Sequence, residues 1–73
     1  MTLPTKDQFI KANGRLQLAC NETFATCVFE EGSAGYISLA TLAIKDVAAA
    51  AAQLGYELVE IIPQTKSAGG RMG

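Results

Sequence analysis

The most strongly patterned stretch of the 73-residue chain is residues 44–62, where apolar positions follow first a helical and then a strand-like period. Apolar residues recur at intervals of three and four, as on one stripe of a helix: Ile44, Val47, Ala51 and Leu54. The alanine run Ala48–Ala52 favours a helix as well, and Gly55 lies where a helix commonly ends in a left-handed residue. The pattern therefore predicts an alanine-rich helix that ends near Gly55.

The residues after Gly55 predict a β-strand. Tyr56–Ile62 is rich in β-branched and aromatic residues, and it carries apolar side chains on both faces, as a central strand does. Pro63 ends this strand because proline has no N–H to donate to a ladder.

The N-terminus predicts a short helix. Thr5 and Gln8 have the spacing of a capping box, in which each side chain bonds the backbone of the other residue. We place this helix over Thr5–Asn13, with Gly14 just beyond its end. Two turns are too few for an isolated helix, so it must pack through Phe9 or Ile10, or fold against a partner.

The middle of the chain predicts three antiparallel strands. Residues 15–20 and 23–30 form a hairpin around the turn Asn21-Glu22, and residues 36–42 form the third strand. For the third segment an alternative remains open, in which the following helix begins earlier, near Ser38.

The predicted fold class is α+β. A three-stranded meander and a C-terminal strand form a small sheet, packed by the alanine-rich helix and the short N-terminal helix. Residues 1–63 form this single domain, and residues 64–73 form a flexible tail because they lack an apolar period. The predicted core is Leu16, Leu18, Cys27, Phe29, Ile37, Leu39, Val47, Ala51, Leu54, Val59 and Ile61.

Composition narrows the class of protein. The 49% hydrophobic content argues against disorder, and the net charge of −1 argues against a strong general attraction to nucleic acid. No signal-peptide pattern and no apolar run of about 18 residues is present, so we expect a cytoplasmic protein that does not enter a membrane. A small core is compatible with a homo-oligomer.

The sequence has few residues that could carry catalysis or bind a metal or phosphate. The chain has no histidine, and neither phosphate-binding glycine motif occurs. Cys20 and Cys27 cannot complete a tetrahedral zinc site alone, so we interpret them as small, buried, unpaired residues. We expect a protein that is not an enzyme and needs no cofactor.

Two main classes of function remain, and a structural or homodimeric role is the third. The first is a protein-binding regulator that docks on and inhibits a larger complex. The alternative is a small nucleic-acid-binding protein that uses the basic N-terminal segment, where Lys6, Lys11 and Arg15 outweigh Asp7.

In length, in its lack of motifs, and in its basic ends and acidic centre, the chain resembles the small host-takeover proteins of bacterial viruses. It is similar in character to phage proteins that bind the host RNA polymerase, inhibit initiation and promote antitermination. The resemblance implies a stoichiometric ligand of a polymerase subunit, and it transfers no functional residues.

Binding energy in protein interfaces concentrates in a few aromatic and basic anchors. On that ground the sequence predicts a partner-binding surface on the N-terminal segment and on the outer face of the first predicted hairpin. Its residues are Lys6, Phe9, Lys11, Arg15, Phe24 and Val28.

Overall fold

The computed structural model describes residues 2–61, which form a hairpin of two antiparallel, packed α-helices. Helix α1 spans Lys6–Thr26 and helix α2 spans Ala34–Gln53. No strand occurs within residues 2–61, so the predicted α+β fold is wrong and the described chain is all-α. Residues 64–73, predicted as a tail, and the end of the predicted domain at residue 63 lie outside the described residues.

The start of α1 confirms the predicted capping box. The Thr5 backbone N–H donates to Gln8 Oε1 at 2.7 Å, and the Gln8 N–H donates to Thr5 Oγ1 at 3.2 Å. Asp7 lies in the first turn, where the positive end of the helix dipole favours a carboxylate. The predicted end at Gly14 is wrong, because the helix continues through this glycine for another three turns.

The two strands predicted over residues 15–20 and 23–30 are also wrong, because α1 covers all but the last few of these residues. The helix has its own period here, since Ala12, Arg15 and Ala19 recur at intervals of three and four and turn toward α2. These residues are small or charged, so a search for large apolar residues does not detect them.

Helix α2 begins earlier than the strand prediction allowed. Ser33 caps it by accepting a hydrogen bond from the Tyr36 N–H at 3.3 Å. The strand predicted over residues 36–42 is therefore wrong, and the alternative of an earlier helix start is confirmed, with the first residue at Ala34. The prediction that this helix ends near Gly55 is confirmed, since Gly55 has a φ of 88° just after the helix.

The connection between the helices is held by one aromatic side chain. Phe29 lies directly over Gly35 in the first turn of α2. A Cβ atom at Gly35 would lie 2.7 Å from two atoms of the Phe29 ring, so only glycine permits this approach.

Residues 56–61 leave α2 after one backbone bond, in which the Tyr56 N–H donates to the Ala51 carbonyl oxygen at 2.8 Å, and they belong to no helix or strand among the described residues. The predicted strand is therefore wrong over this range. Its apolar residues suit a pleated sheet, but the described chain offers no second strand with which to form a ladder.

The core of the hairpin is small. Its buried apolar residues are Ala12, Ala19, Ala43 and Ala50. None of the predicted core residues is fully buried. Seven are exposed and four are half-buried: Leu16, Leu18, Cys27, Phe29, Ile37, Val59 and Ile61 are exposed, and Leu39, Val47, Ala51 and Leu54 are half-buried.

Candidate protein-binding surface

The contact line between the two helices, which we call the seam, is built from small residues. Ala12 and Ala19 on α1, and Ala43 and Ala50 on α2, are each seven residues apart and buried. A seven-residue interval keeps side chains on the same side of a helix over two turns. Alanine at these positions lets the helices approach closely, so the seam buries little side-chain area.

Charged residues interrupt the seam at its centre. Arg15 Nη1 donates to Asp46 Oδ1 at 3.3 Å, and the side chain of Asp46 is only 12% exposed. Arg15 was predicted as a partner-binding anchor at the junction of two surfaces. The structure instead uses it to join α1 to α2, although its side chain remains 54% exposed.

Glu22 lies one turn beyond Ala19 on the same stripe of α1 and faces Asp46. Removal from water raises the pKa of Glu22 above its ordinary value of 4.5, and a hydrogen bond to Asp46 and repulsion by its charge raise it further. Oε1 of Glu22 is shielded from solvent and accepts no hydrogen bond from any described residue. The seam therefore holds two carboxylates near one arginine.

A second polar contact fixes the alignment of the helices. Gln8 Nε2 donates to the carbonyl oxygen of Gln53 at 2.8 Å. Together with the Arg15–Asp46 pair and the interaction of Asp46 with Glu22, this contact gives the approximate alignment of the helices: Asp46 lies between Arg15 and Glu22 along the axis of α1. Leu16 and Ile44 therefore both lie near the middle of the hairpin.

Large apolar side chains lie on one side of the seam. In an antiparallel pair of right-handed helices, residues directly after seam residues share one side of the pair. Phe9, Leu16, Ile37 and Ile44 occupy such positions, and each is about half exposed or more. We call these four residues the broad face.

The opposite side of the hairpin carries apolar residues as well. Leu18 and Leu42 directly precede the seam alanines Ala19 and Ala43, and both are nearly half exposed. The hairpin thus presents large apolar side chains on both sides of a thin alanine seam.

The predicted binding residues do not form one surface. Phe9 and Phe24 are fifteen residues apart on α1, which separates them by about 22 Å along the axis. Lys6 lies at the start of α1, and Lys11 pairs with Asp7, with 3.2 Å between Nζ and Oδ2.

Phe24 and Val28 lie together near the connection between the helices. They are 75% and 76% exposed, and the sequence prediction had placed them on the outer face of a β-hairpin that does not exist. We call these two residues the loop-end patch. The prediction missed Leu16, Ile37 and Ile44 as exposed residues, although the seven-residue spacings Phe9–Leu16 and Ile37–Ile44 would have placed each pair on one stripe of a helix.

Residues after Gly55 lie along the outer flank of α2. Leu58, Val59, Glu60 and Ile61 line an open groove of about 690 Å³ together with Ile44 and Ala48. The groove extends the apolar surface of the broad face beyond the two helices.

Both cysteines are exposed free thiols, so the prediction that they are buried is wrong. The Cys27 thiol donates to the Thr23 carbonyl oxygen at 3.7 Å, and Cys20 directly follows Ala19, which places it on the side of the broad face.

Helix α2 is also long and apolar enough to cross a membrane, judged on length and composition alone. Core helices of soluble assemblies share this property, and α2 carries Lys45 and Asp46 near its middle. This statement about membrane-spanning length and composition concerns residues 2–61 only.

Comparison with known proteins adds no relative: no protein-family model, curated protein or solved structure matches this chain.

Proposed function

We propose that this chain is a protein-binding regulator that acts by stoichiometric association with a larger bacterial complex. The observation that supports it is the exposure of the large apolar side chains, of which none is fully buried within residues 2–61. Isolated exposed apolar residues are ordinary, but clusters on a small protein mark surfaces that bind something else.

The charges of the hairpin favour a protein partner over nucleic acid. Two of the three basic side chains of the N-terminal segment are engaged within the chain, since Lys11 contacts Asp7 and Arg15 contacts Asp46. Nucleic-acid binding depends on cations that are available to phosphates.

We propose RNA polymerase as the first partner to test, with inhibition of initiation and antitermination as the outcome. This choice is supported by the resemblance in size and character to phage proteins that bind the polymerase. The helical fold is compatible with it, since an amphipathic helix can dock in an apolar groove.

The loop-end patch is the proposed contact with the larger partner. Phe24 is a large aromatic side chain whose exposure shows that the hairpin does not need it for packing. Aromatic residues are the commonest anchors of protein interfaces, and Val28 extends the apolar area beside it.

The test compares Phe24→Ala with the matched control Gln17→Ala, which truncates a polar side chain on exposed α1 surface. We expect Phe24→Ala to weaken binding to purified bacterial RNA polymerase by about 1–3 kcal/mol, and to change the free energy of unfolding by less than about 0.5 kcal/mol. Gln17→Ala should bind like the parent chain. Binding is read by pull-down and by inhibition of promoter-dependent transcription.

Three results would contradict this proposal. If the parent chain fails to bind or inhibit the polymerase, RNA polymerase is not the partner. If Phe24→Ala binds as tightly as the parent, the loop-end patch is not the contact surface. Lysate capture could recover nucleic acid without a stoichiometric protein, which supports the alternative function.

A further inference from the structure

We propose that the broad face is the interface with a second copy of this chain, and that the two hairpins form an antiparallel four-helix bundle. The proposal does not depend on the identity of the larger partner, because that partner is assigned to the loop-end patch.

The first reason is the size of the core. A seam of alanines buries too little apolar area to hold two helices together, and short domains are marginal even with a normal core. Two helices of about twenty residues present a face of about 30 by 20 Å. That area is of the order that each partner of a stable dimer contributes, about 800 Å² of accessible surface.

The second reason is the arrangement of the large residues. Phe9 and Ile37 both lie in the first turn of their helices, and Leu16 and Ile44 both lie seven residues further on. Because the helices are antiparallel, Phe9 and Ile37 lie at opposite ends of the face, while Leu16 and Ile44 both lie near its centre. The face is therefore nearly symmetric about its own midpoint, which suits the self-complementary contact of a two-fold dimer.

Small residues separate the large ones on this face. Cys20 on α1, and Ala48 and Ala51 on α2, leave space between the larger side chains. Large side chains of one copy can enter spaces beside small side chains of the other, as in helix bundles.

The third reason is charge, which also selects the orientation. Lys6 and Lys11 lie at the end of the hairpin where α1 begins, and Glu30 and Glu31 lie in the connection at the other end. Residues 16–44 include no basic residue. The end where α1 begins also carries Asp7, which pairs with Lys11, and Glu57 follows the end of α2, so the charges of this end are balanced while the connection is acidic. A dimer with its ends reversed keeps the two acidic connections apart and places each beside the lysines of the other copy, whereas aligned ends would bring the acidic connections together.

The test measures the molar mass of the full chain in solution by light scattering after size exclusion, between about 10 and 500 μM. We expect twice the chain mass of 7.7 kDa at the upper concentrations. Ile44→Glu should give a monomer, or raise the dissociation constant at least a hundredfold, because it places a charge at the centre of the interface. Ile10→Glu is the matched control, since Ile10 is 61% exposed and Ile44 63%, but Ile10 lies away from the broad face.

Orientation is tested by reversing charge at one end only. Lys6→Glu with Lys11→Glu should weaken the dimer by about five- to tenfold at low salt, with the loss disappearing at high salt. Glu30→Gln with Glu31→Gln separates the two orientations: it should strengthen an aligned dimer at low salt, because it removes the repulsion between two acidic connections, and it should weaken a reversed dimer or leave it unchanged.

A monomeric parent chain at 500 μM overturns the proposal, as does equal dissociation by Ile44→Glu and Ile10→Glu. Circular dichroism separates folding from association: if Ile44→Glu loses helix, concentration-dependent melting of the parent must still show the dimer. A parent chain that is monomeric and sediments with anionic phospholipid vesicles would assign the face to a membrane instead. None of these results depends on binding to RNA polymerase, so the two proposals can fail separately.

Discussion

At the scale of single residues, the folded hairpin disfavours the charged form of Glu22. Its carboxylate lies at the seam beside Asp46, whose charge is already paired with Arg15. Burial raises the pKa of Glu22, and the bond to Asp46 and its negative charge add to the effect. The folded chain therefore binds a proton here more tightly than the unfolded chain does.

The raised pKa of Glu22 predicts how the stability of the hairpin changes with pH. Because the folded-state pKa is raised, the contribution to stability is fully present below the ordinary pKa of 4.5 and is lost as pH rises through the raised value. We expect Glu22→Gln to raise the melting temperature at pH 7 and to reduce the gain that the parent shows on acidification to pH 5. Thermal unfolding across this range checks it, with Glu31→Gln in the exposed connection as the control for net charge.

A melting temperature for Glu22→Gln below that of the parent at pH 7 would contradict this account of the seam. It would show that the Glu22 carboxylate stabilises the hairpin in its charged form.

Glycine gives a second residue-scale prediction, because two helical glycines lie in different surroundings. Nothing lies within 4 Å of a Cβ atom added at Gly14, whereas the ring of Phe29 blocks Gly35. Gly14→Ala should raise the free energy of unfolding by about 0.5–1 kcal/mol through helix propensity. Gly35→Ala should give no gain, because the ring must move away. Chemical denaturation at one protein concentration measures both, and equal gains would show that Phe29 does not pack on α2.

At the scale of elements, the ends of the helices could be predicted better than their middles. The Thr5 capping box and the Gly55 stop are local devices, and both were correct from a few neighbouring residues. The sequence predicts strands over the interior of α1 because Leu16 and Leu18 alternate with polar residues, as on a half-buried sheet. The stripe that faces α2 is alanine and charge, which a hydrophobic period does not reveal.

The same limit explains the errors in the candidate site. Arg15 looked like an exposed anchor, yet its partner Asp46 lies thirty-one residues away in sequence. Only the fold brings them together. Leu16 and Ile37 were assigned to a core because large apolar residues are normally buried. In this chain the described fold leaves them outside, and that difference supports a surface for association.

At the scale of the whole molecule, the described hairpin buries alanines and leaves its large apolar side chains at least partly exposed. Its alanine seam orders two helices, and its large side chains remain available on both sides. One side suits a second copy, and the loop-end patch suits a larger partner. If both proposals hold, binding at these two surfaces would stabilise the folded hairpin.

The most direct test of the central claim, a helical chain whose large apolar residues serve association, is far-UV circular dichroism of the full chain during heating at about 5 and 500 μM. The account predicts a helical spectrum without strand character, and a melting temperature that rises with concentration. A spectrum dominated by strand, or a melting temperature that is the same at both concentrations, would contradict it.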